Sequence, residues 1–422
     1  MRVLLLGATG HIGQGIARRL LADGIEVHGL ARRPCAPSRT LSQVHWHFGD
    51  LNRMTSVEDW QDLTRGVTAV INAAGVLQDG LGDNLDATHE RSVSALCTAT
   101  DSSTLLIHIS APGASISSST AFYRSKAKGD AAVKRSGRPW VILRPCVVVS
   151  PEAYGGTALL RALSAFPLFI PAANPDALIQ TVSLDDVAAA VSAASDGRIP
   201  PASDIVLGEP QAEPIRNVLG RFRQWHGLPE APVLPVPVLA ARVISLFADA
   251  AGYLGWRSPL RSTAMTVAAE NVTGTSGYAC RSLAEQLATM PATVQERWFA
   301  RAYLMKPLAI VTLALFWLIS GIIGLVALPA AASVLTQAGF SASTASSFVI
   351  AGACADVLLG TLVLVRRTMA LALIGMILLT AAYLGAATLF APALWLDPLG
   401  PLVKSVPAAM LALLLLAIEP ER

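Results

Sequence analysis

Three glycines, Gly7, Gly10 and Gly13, stand at three-residue spacing between an apolar run, Val3 to Leu6, and a helix-like stretch from Gln14 to Ala22. A strand that turns this abruptly into a helix can bring its backbone against a pyrophosphate. The first glycine allows the tight turn, the second the close approach and the third the packing of helix on sheet. The helix N-terminus adds amide donors and the positive end of its dipole. Thr9, His11 and Ile12 lie in the same turn and are expected to line it. After the second apolar run the chain reads Ala31-Arg32-Arg33, with no carboxylate where a ribose-binding acid would stand. Two guanidinium groups match the charge and forked geometry of a 2′-phosphate. The expected cofactor is therefore NADP(H), with NAD(H) as the alternative.

The spacing G-x-x-G-x-x-G, together with Asn72-Ala73-Ala74-Gly75 after the fourth apolar run, resembles the extended and atypical short-chain dehydrogenase/reductase families, epimerase/dehydratase-like members included. The resemblance implies a dinucleotide lying across the strand ends, with Asp50 approaching its adenine ring and Ala73 beside it. Asp50 reads equally well as a turn aspartate. In these families a tyrosine and a lysine four residues later share one helix face, and a serine comes from the preceding strand end. The lysine lowers the phenol's pKa, so that it exchanges a proton with the substrate oxygen while hydride moves. Here Ser110 follows the run Leu105 to Ile109, and Phe122-Tyr123-Arg124-Ser125-Lys126 resembles the helix pattern, with Lys126 also expected on the nicotinamide ribose. The register leaves Phe122, which has no proton to give, four residues before Lys126. Tyr123 is rotated from the tyrosine position by about 100° on a helix of 3.6 residues per turn. Tyr154, in Tyr154-Gly155-Gly156, is a further candidate phenol, and Arg144-Pro145 marks the turn toward a substrate lobe. His45 and His47 share one strand face at ligand-like spacing, but no third ligand accompanies them, so no metal site is expected. No G-x-S-x-G nucleophile elbow occurs.

The elements that must hold these residues follow from composition and pattern. A chain of 422 residues, 53% hydrophobic and 14% charged, calls for two or three folding units and for a search for membrane spans. The net charge of +3, with no basic run along one face, gives no nucleic-acid footprint. Cys35, Cys97, Cys146, Cys280 and Cys354 form no C-x-x-C pair and suit a reduced compartment. The N-terminus starts a strand at once and does not read as a signal peptide. Apolar runs at 2–6, 25–30, 44–48, 68–71, 104–109 and 140–143 alternate with helix-like stretches, the pattern of a parallel sheet covered on both faces. The expected first domain is 1–228, with a substrate lobe over about 150–228, a last strand near 204–207 and a helix near 213–226. Residues 229–300 read as a Pro-rich linker and connector, in which 238–256 either lies against a membrane or packs on the lobe.

Four segments, near 307–328, 345–365, 369–390 and 400–418, are each apolar for about 20 residues, the length that crosses a hydrocarbon core. Arg301, Lys306, Arg366, Arg367 and Arg422 cluster at alternate ends, so the positive-inside rule puts both termini in the cytosol of a bacterial-type inner membrane. Asp356 lies midway along the second span, where a carboxylate must face the bundle, be paired or be protonated. Lys404 is a partner at mismatched depth. The stretch 395–401, with Lys404, Pro407 and the Asp356 segment, resembles the DoxX-like membrane family, a group linked to membrane redox proteins. The whole chain thus reads as a Rossmann-type doubly wound α/β sheet with a small lobe, followed by a four-helix transmembrane bundle over 301–422. The expected function is a membrane-anchored oxidoreductase acting on a lipophilic quinone, lipid or isoprenoid-like substrate. The alternatives are a non-catalytic NAD(P)H sensor or accessory protein of a membrane redox complex, and a bundle that itself transfers protons or electrons through Asp356. Homo-oligomers and membrane-protein partners suit any of them.

Overall fold

The computed structural model describes residues 1–418 apart from 81, 257, 270, 271, 276 and 399. Leu399 and Arg422, both used in the sequence reading, lie outside the described residues. Two compact units emerge, Met1–Gly252 with Ser258–Arg301, and Tyr253–Arg257 with Ala302–Arg422. Much of the stretch 229–300 therefore belongs to the first unit.

Strands β1 (Arg2–Leu6), β2 (Glu26–Ala31), β3 (His45–Phe48), β4 (Ala69–Asn72), β5 (Leu105–Ile109) and β6 (Trp140–Pro145) alternate with helices α1 (His11–Ala22), α2 (Ala36–Thr40), α3 (Glu58–Thr64), α4 (Ser92–Ala99) and α5 (Ala121–Arg135). With the strand Ser203–Leu207 outside β6, they form one seven-stranded parallel sheet in the order β3-β2-β1-β4-β5-β6 and then Ser203–Leu207. Near-continuous apolar strands make this possible because both sheet faces are covered: Val3, Leu4 and Leu5 are fully buried, and successive residues join opposite core clusters. The chain order reverses between β1 and β4, which opens a crevice at their carboxyl ends. This is a Rossmann-like sheet.

Helix α7 (Leu184–Ser195) packs beside α1 on the main sheet through Val187, Ala190 and Val191, while the smaller lobe uses α6 (Gly155–Ser164), α8 (Ile215–Trp225) and short two-stranded pairings. Beyond α9 (Val238–Tyr253) and α10 (Ser262–Ala269), the chain returns to this lobe. Val272 pairs with Ile179, and Leu283 and Leu287 of α11 (Leu283–Thr289) pack on Val218 and Phe222. Ser282 and Glu285 cap α11 reciprocally.

Among the described residues the second unit contains the four membrane-long helices, the first of them from Ala302 onward. They are α12 (Val294–Val326), followed by the short α13 (Leu328–Gln337), then α14 (Ala342–Leu362), α15 (Met369–Phe390) and α16 (Pro401–Ile418). Their most apolar windows have mean hydropathies of 2.5, 1.7, 2.1 and 2.0 for α12, α14, α15 and α16. The first span begins as helix well before the apolar stretch, at Val294. Small residues let α12 and α14 close together: a Cβ on Gly321 would lie 2.6 Å from the Ala353 carbonyl oxygen, and one on Gly360 would lie 3.0 Å from the Leu318 nitrogen.

A similar contact in the first unit yields a test. A Cβ on Gly129 of α5 would lie 2.2 Å from the carbonyl oxygen of His89, whereas Gly220, inside α8, has open space around it. Gly129→Ala should destabilise the first unit by about 2 kcal/mol or more. Gly220→Ala should be neutral or stabilising by up to about 1 kcal/mol. Thermal unfolding of the full-length protein in detergent reads both.

Candidate dinucleotide and proton-transfer site

The glycine turn is built by contact between backbones. Gly7 adopts φ +70°, and a Cβ there would lie 2.8 Å from the Ala74 Cα. A Cβ on Gly13 would lie 2.1 Å from the Gly7 carbonyl oxygen, so α1 can sit this close to β1 only with glycine at that point. Gly10 donates its N–H to the Gly7 oxygen at 2.8 Å, and the Gln14 amide donates to the Thr9 carbonyl at 3.1 Å. Gly10 caps α1 without a side-chain hydrogen bond, and no acidic residue stands in the first turn. The positive dipole end of α1 is thus not offset by a carboxylate of its own first turn. Ala73 bonds its N–H to Leu6 at 3.1 Å and closes the other side of the turn. Ile12 packs against the sheet core. The His11 ring stacks on Tyr154, with centroids 5.1 Å apart and planes 5° from parallel, which places this half-exposed phenol over the turn.

Arg32 and Arg33 are exposed at the end of β2. Arg32 is paired with Asp83 at 2.6 Å and reaches the Gly82 carbonyl. Asp50 accepts from the backbone and side-chain amides of Asn52 at 3.1 and 2.9 Å, a turn role. Asn52 in turn bonds Gly82, Asn84 and Thr88. Both residues are therefore tied to the loop that follows β4.

The α5 side of the crevice holds Lys126, buried, with Nζ donating to the Ile109 carbonyl at 3.0 Å. A Cβ on Gly75 would lie 3.3 Å from that Nζ and 3.4 Å from His89 Nε2, so the strand end after β4 runs directly past both. His89 comes from one turn of π-helix, Ala87–Arg91. Val76 N–H donates to its Nε2 at 3.1 Å, so Nδ1 carries the hydrogen and donates to Ser125 Oγ at 2.8 Å, which donates on to the Phe122 carbonyl. Burial pushes the His89 imidazole down to about 2, with the Lys126 charge adding to the effect, and the ring is neutral at physiological pH. The Phe122 ring stands edge-on to His89 at 6.0 Å, whereas Tyr123 is only 3% exposed and packs toward Gly113.

Ser110 is buried in a charged network. Its hydroxyl donates to Asp130 at 2.9 Å and accepts from Arg144 at 3.2 Å, while Arg144 pairs with Asp130 at 2.8 Å and with Asp204 at 2.6 Å. Asp130 lies one helical turn beyond Lys126 on the same face. Burial pushes the Lys126 ammonium down to about 8, opposed by Asp130 and reinforced by Arg144. His108, 3.5 Å from Asp130, is likewise held neutral, pushed down to about 3 by burial. The spacing of Asp130 from Lys126 was visible in the sequence. Nothing local marked His89 or His108.

At the other edge of the sheet one expectation is corrected. His45 and His47 do have further ligand-type neighbours: parallel pairing puts His28 opposite His45, and Glu26 shares its face. One ligand atom each from Glu26, His28 and His45 lies within 4.8 Å of the others. His28 reaches His47 at 2.9 Å, and Arg2 donates to His28 Nε2 at 2.9 Å, so a guanidinium already fills part of this cluster. In the bundle, Asp356 accepts from Tyr383 at 2.9 Å and Ser320 at 3.2 Å, so its partners are hydroxyls rather than Lys404.

Strand, glycine turn and helix define a dinucleotide-binding domain. Residues 7–196 match the NAD(P)H-binding family, and residues 314–413 match the DoxX-like family. The chain thus joins an NAD(P)-binding Rossmann domain to a C-terminal DoxX-like domain. An uncharacterized chloroplastic protein of Arabidopsis thaliana is 34% identical over 76 residues, which are 18% of this chain and 24% of the relative, so the match spans about a quarter of that curated relative. Among solved structures, the triphenylmethane reductase of Citrobacter sp., complexed with NADP(H), superposes with a TM-score of 0.53 at 18% identity, covering 69% of this chain and 100% of that one. A nucleoside-diphosphate-sugar epimerase of Staphylococcus aureus gives 0.50 at 15% identity, covering 71% and 100%. At these identities the likeness is one of fold.

The Lys126 ammonium is charged below about 8 and loses its charge above it, so an anionic dinucleotide bound beside it is expected to hold more tightly at the lower pH. NADPH affinity, read by nicotinamide fluorescence, should fall about tenfold as pH rises from about 7 to 9.5, one pKa unit's worth of free energy. Lys126→Met should bind more weakly and show a flat profile over the same range.

Proposed function

We propose that the chain is a membrane-anchored, NADP(H)-dependent oxidoreductase of the short-chain dehydrogenase/reductase type that reduces a carbonyl on a lipophilic quinone, lipid or isoprenoid-like molecule. The observation that carries this reading is Lys126 beside Gly75 at the strand ends, next to a glycine turn that leads into the N-terminus of α1. NADP(H) bound there supplies hydride from its nicotinamide ring. Arg32 and Arg33 favour the 2′-phosphate, with Arg32 exchanging its Asp83 partner for it. As hydride reaches the carbonyl carbon, the carbonyl oxygen needs a proton. Phe122 cannot give one, and Tyr123 is buried on another face. Lys126, at about 8, has the proton affinity for the task and lines the crevice, while Tyr154 over the glycine turn is the second donor within this unit. The four apolar helices are long enough to anchor the chain in a bilayer, the phase in which such a substrate dissolves. Lys306, Arg366 and Arg367 favour an orientation with both termini in the cytosol of a bacterial-type inner membrane.

The second reading, a non-catalytic NAD(P)H-binding sensor or accessory protein of a membrane redox complex, is favoured by Phe122 alone. The deciding experiment follows deuterium from 4-deuterated NADPH into native membrane lipids, with the full-length protein in lipid discs and NADPH binding verified by fluorescence. A labelled lipid, with transfer cut at least tenfold by Lys126→Ala, is the expected outcome. Binding with no transfer, together with transfer gained in Phe122→Tyr, would replace the enzyme reading with the accessory one.

A further inference from the structure

Helix α9 carries its apolar residues on the side that a water-soluble domain would make polar. Leu239, Val243, Leu246 and Phe247 are 74, 45, 70 and 71% exposed, and their spacing places them on one stripe. The residues turned inward are small or polar. Ser245 is buried, Asp249 accepts from the Gln78 amide at 3.3 Å and from Arg261 at 3.4 Å, and a Cβ on Gly252 would lie 2.8 Å from the Arg261 guanidinium carbon. A helix anchored by its polar stripe with its apolar stripe outward is the reverse of a core-facing helix.

What covers the outward stripe is indicated by where the helix ends. The Leu254 carbonyl accepts from the Arg366 backbone N–H at 3.1 Å, Trp256 Nε1 donates to the Leu364 carbonyl at 2.7 Å, and the Arg366 guanidinium lies 5.4 Å from the Trp256 ring. Leu364 and Arg366 belong to the turn between α14 and α15, so the chain leaving α9 is fastened to one end of the membrane-long helices. Such an end, with its aromatic and basic residues, is where a bilayer passes from acyl chains to headgroups. Exposed Arg242, beside the apolar stripe, suits the anionic side of that boundary.

We propose that α9 is an interfacial helix lying in the bilayer surface, with Leu239, Val243, Leu246 and Phe247 among the acyl chains. The occupant of the exposed stripe is lipid, because the residues that follow α9 directly, Leu254 and Trp256, are bonded to the turn at the bundle end. The placement has a consequence that rests on the oxidoreductase reading above. Asp249 and Arg261 hold α9 to Gln78 and Asp79, in the loop that runs on from Gly75 past Lys126. A lipophilic substrate diffusing along α9 would therefore reach the loop bordering the proton-transfer site without crossing water.

The test uses the full-length protein with Cys35 and Cys354 replaced by serine, reconstituted in discs of phosphatidylethanolamine and phosphatidylglycerol. A nitroxide is placed in turn at Leu246→Cys, Phe247→Cys and, as an exposed reference on the Rossmann domain, Gln61→Cys. Collision with oxygen is compared with collision with a water-soluble nickel chelate. The expected result is oxygen-dominated relaxation at 246 and 247 and nickel-dominated relaxation at 61. Nickel access at 246 and 247 equal to that at 61 overturns the proposal, and so does exclusion of both agents, which would mean a protein covers the stripe. Nicotinamide fluorescence and deuterium transfer are recorded on the same samples. Lipid contact without transfer removes the oxidoreductase reading and leaves the helix assignment standing, whereas transfer without lipid contact does the opposite.

Discussion

The first unit depends on a place where three backbone segments meet with no side chain between them. The end of β1, the first turn of α1 and the end of β4 converge at Gly7, Gly13, Ala73 and Ala74, and any Cβ on either glycine would overlap main-chain atoms. This contact fixes the distance of α1 from the sheet and so the position of its N-terminus at the crevice. It also sets the course of the chain after β4. That chain runs through Gly75, past Lys126 and His89, into the loop that receives Arg32, Asn52 and Arg261. The glycine turn, the end of β2 and α5 are thus held in register by packing that no substitution at Gly13 could preserve.

A second constraint is electrical. Lys126, Asp130, Arg144 and Asp204 put two positive and two negative groups in or beside the core, with Ser110 bridging Asp130 and Arg144. A buried charge is tolerated when it is paired and hydrogen-bonded, and breaking one member of such a set leaves another uncompensated. The arrangement explains why Lys126 can be buried and still titrate near 8: Asp130 offsets part of the desolvation that would otherwise neutralise it, while Arg144 is occupied by two carboxylates. His89 and His108 stay neutral in the same surroundings, so neither adds a positive charge beside Lys126.

How much of this was legible in the sequence depended on how local the determinant was. The six runs read as strands fall within one or two residues of β1 to β6, because a strand buried on both faces must be apolar along its length. The third and fourth membrane spans were legible for the same reason, while α12 extends back through Arg297 and Arg301 to Val294, where hydropathy gives no signal. The Phe122 register was legible only through the resemblance of Phe122-Tyr123-Arg124-Ser125-Lys126 to the short-chain dehydrogenase/reductase helix pattern. The meeting of His28 with His45 required the pairing of β2 with β3, and the meeting of His89 with Ser125 required a π-turn whose residues have no distinctive pattern. The connector concealed most: residues after a Pro-rich stretch return to complete the lobe core through Leu283 and Leu287, a long-range contact that composition cannot foretell.

Phe122 gives the site its particular character. In the position where a phenol would stand beside Lys126, an apolar ring instead meets His89 edge-on and covers the wall between them. The neutral His89 is locked by a donor on one nitrogen and an acceptor on the other, so it cannot replace the phenol without breaking both bonds. Phe122 thus leaves the wall without a side-chain hydroxyl at that position, and the Lys126 ammonium, pushed down to about 8 by burial, answers chiefly to its charged neighbours, held up by Asp130 and pushed down further by Arg144.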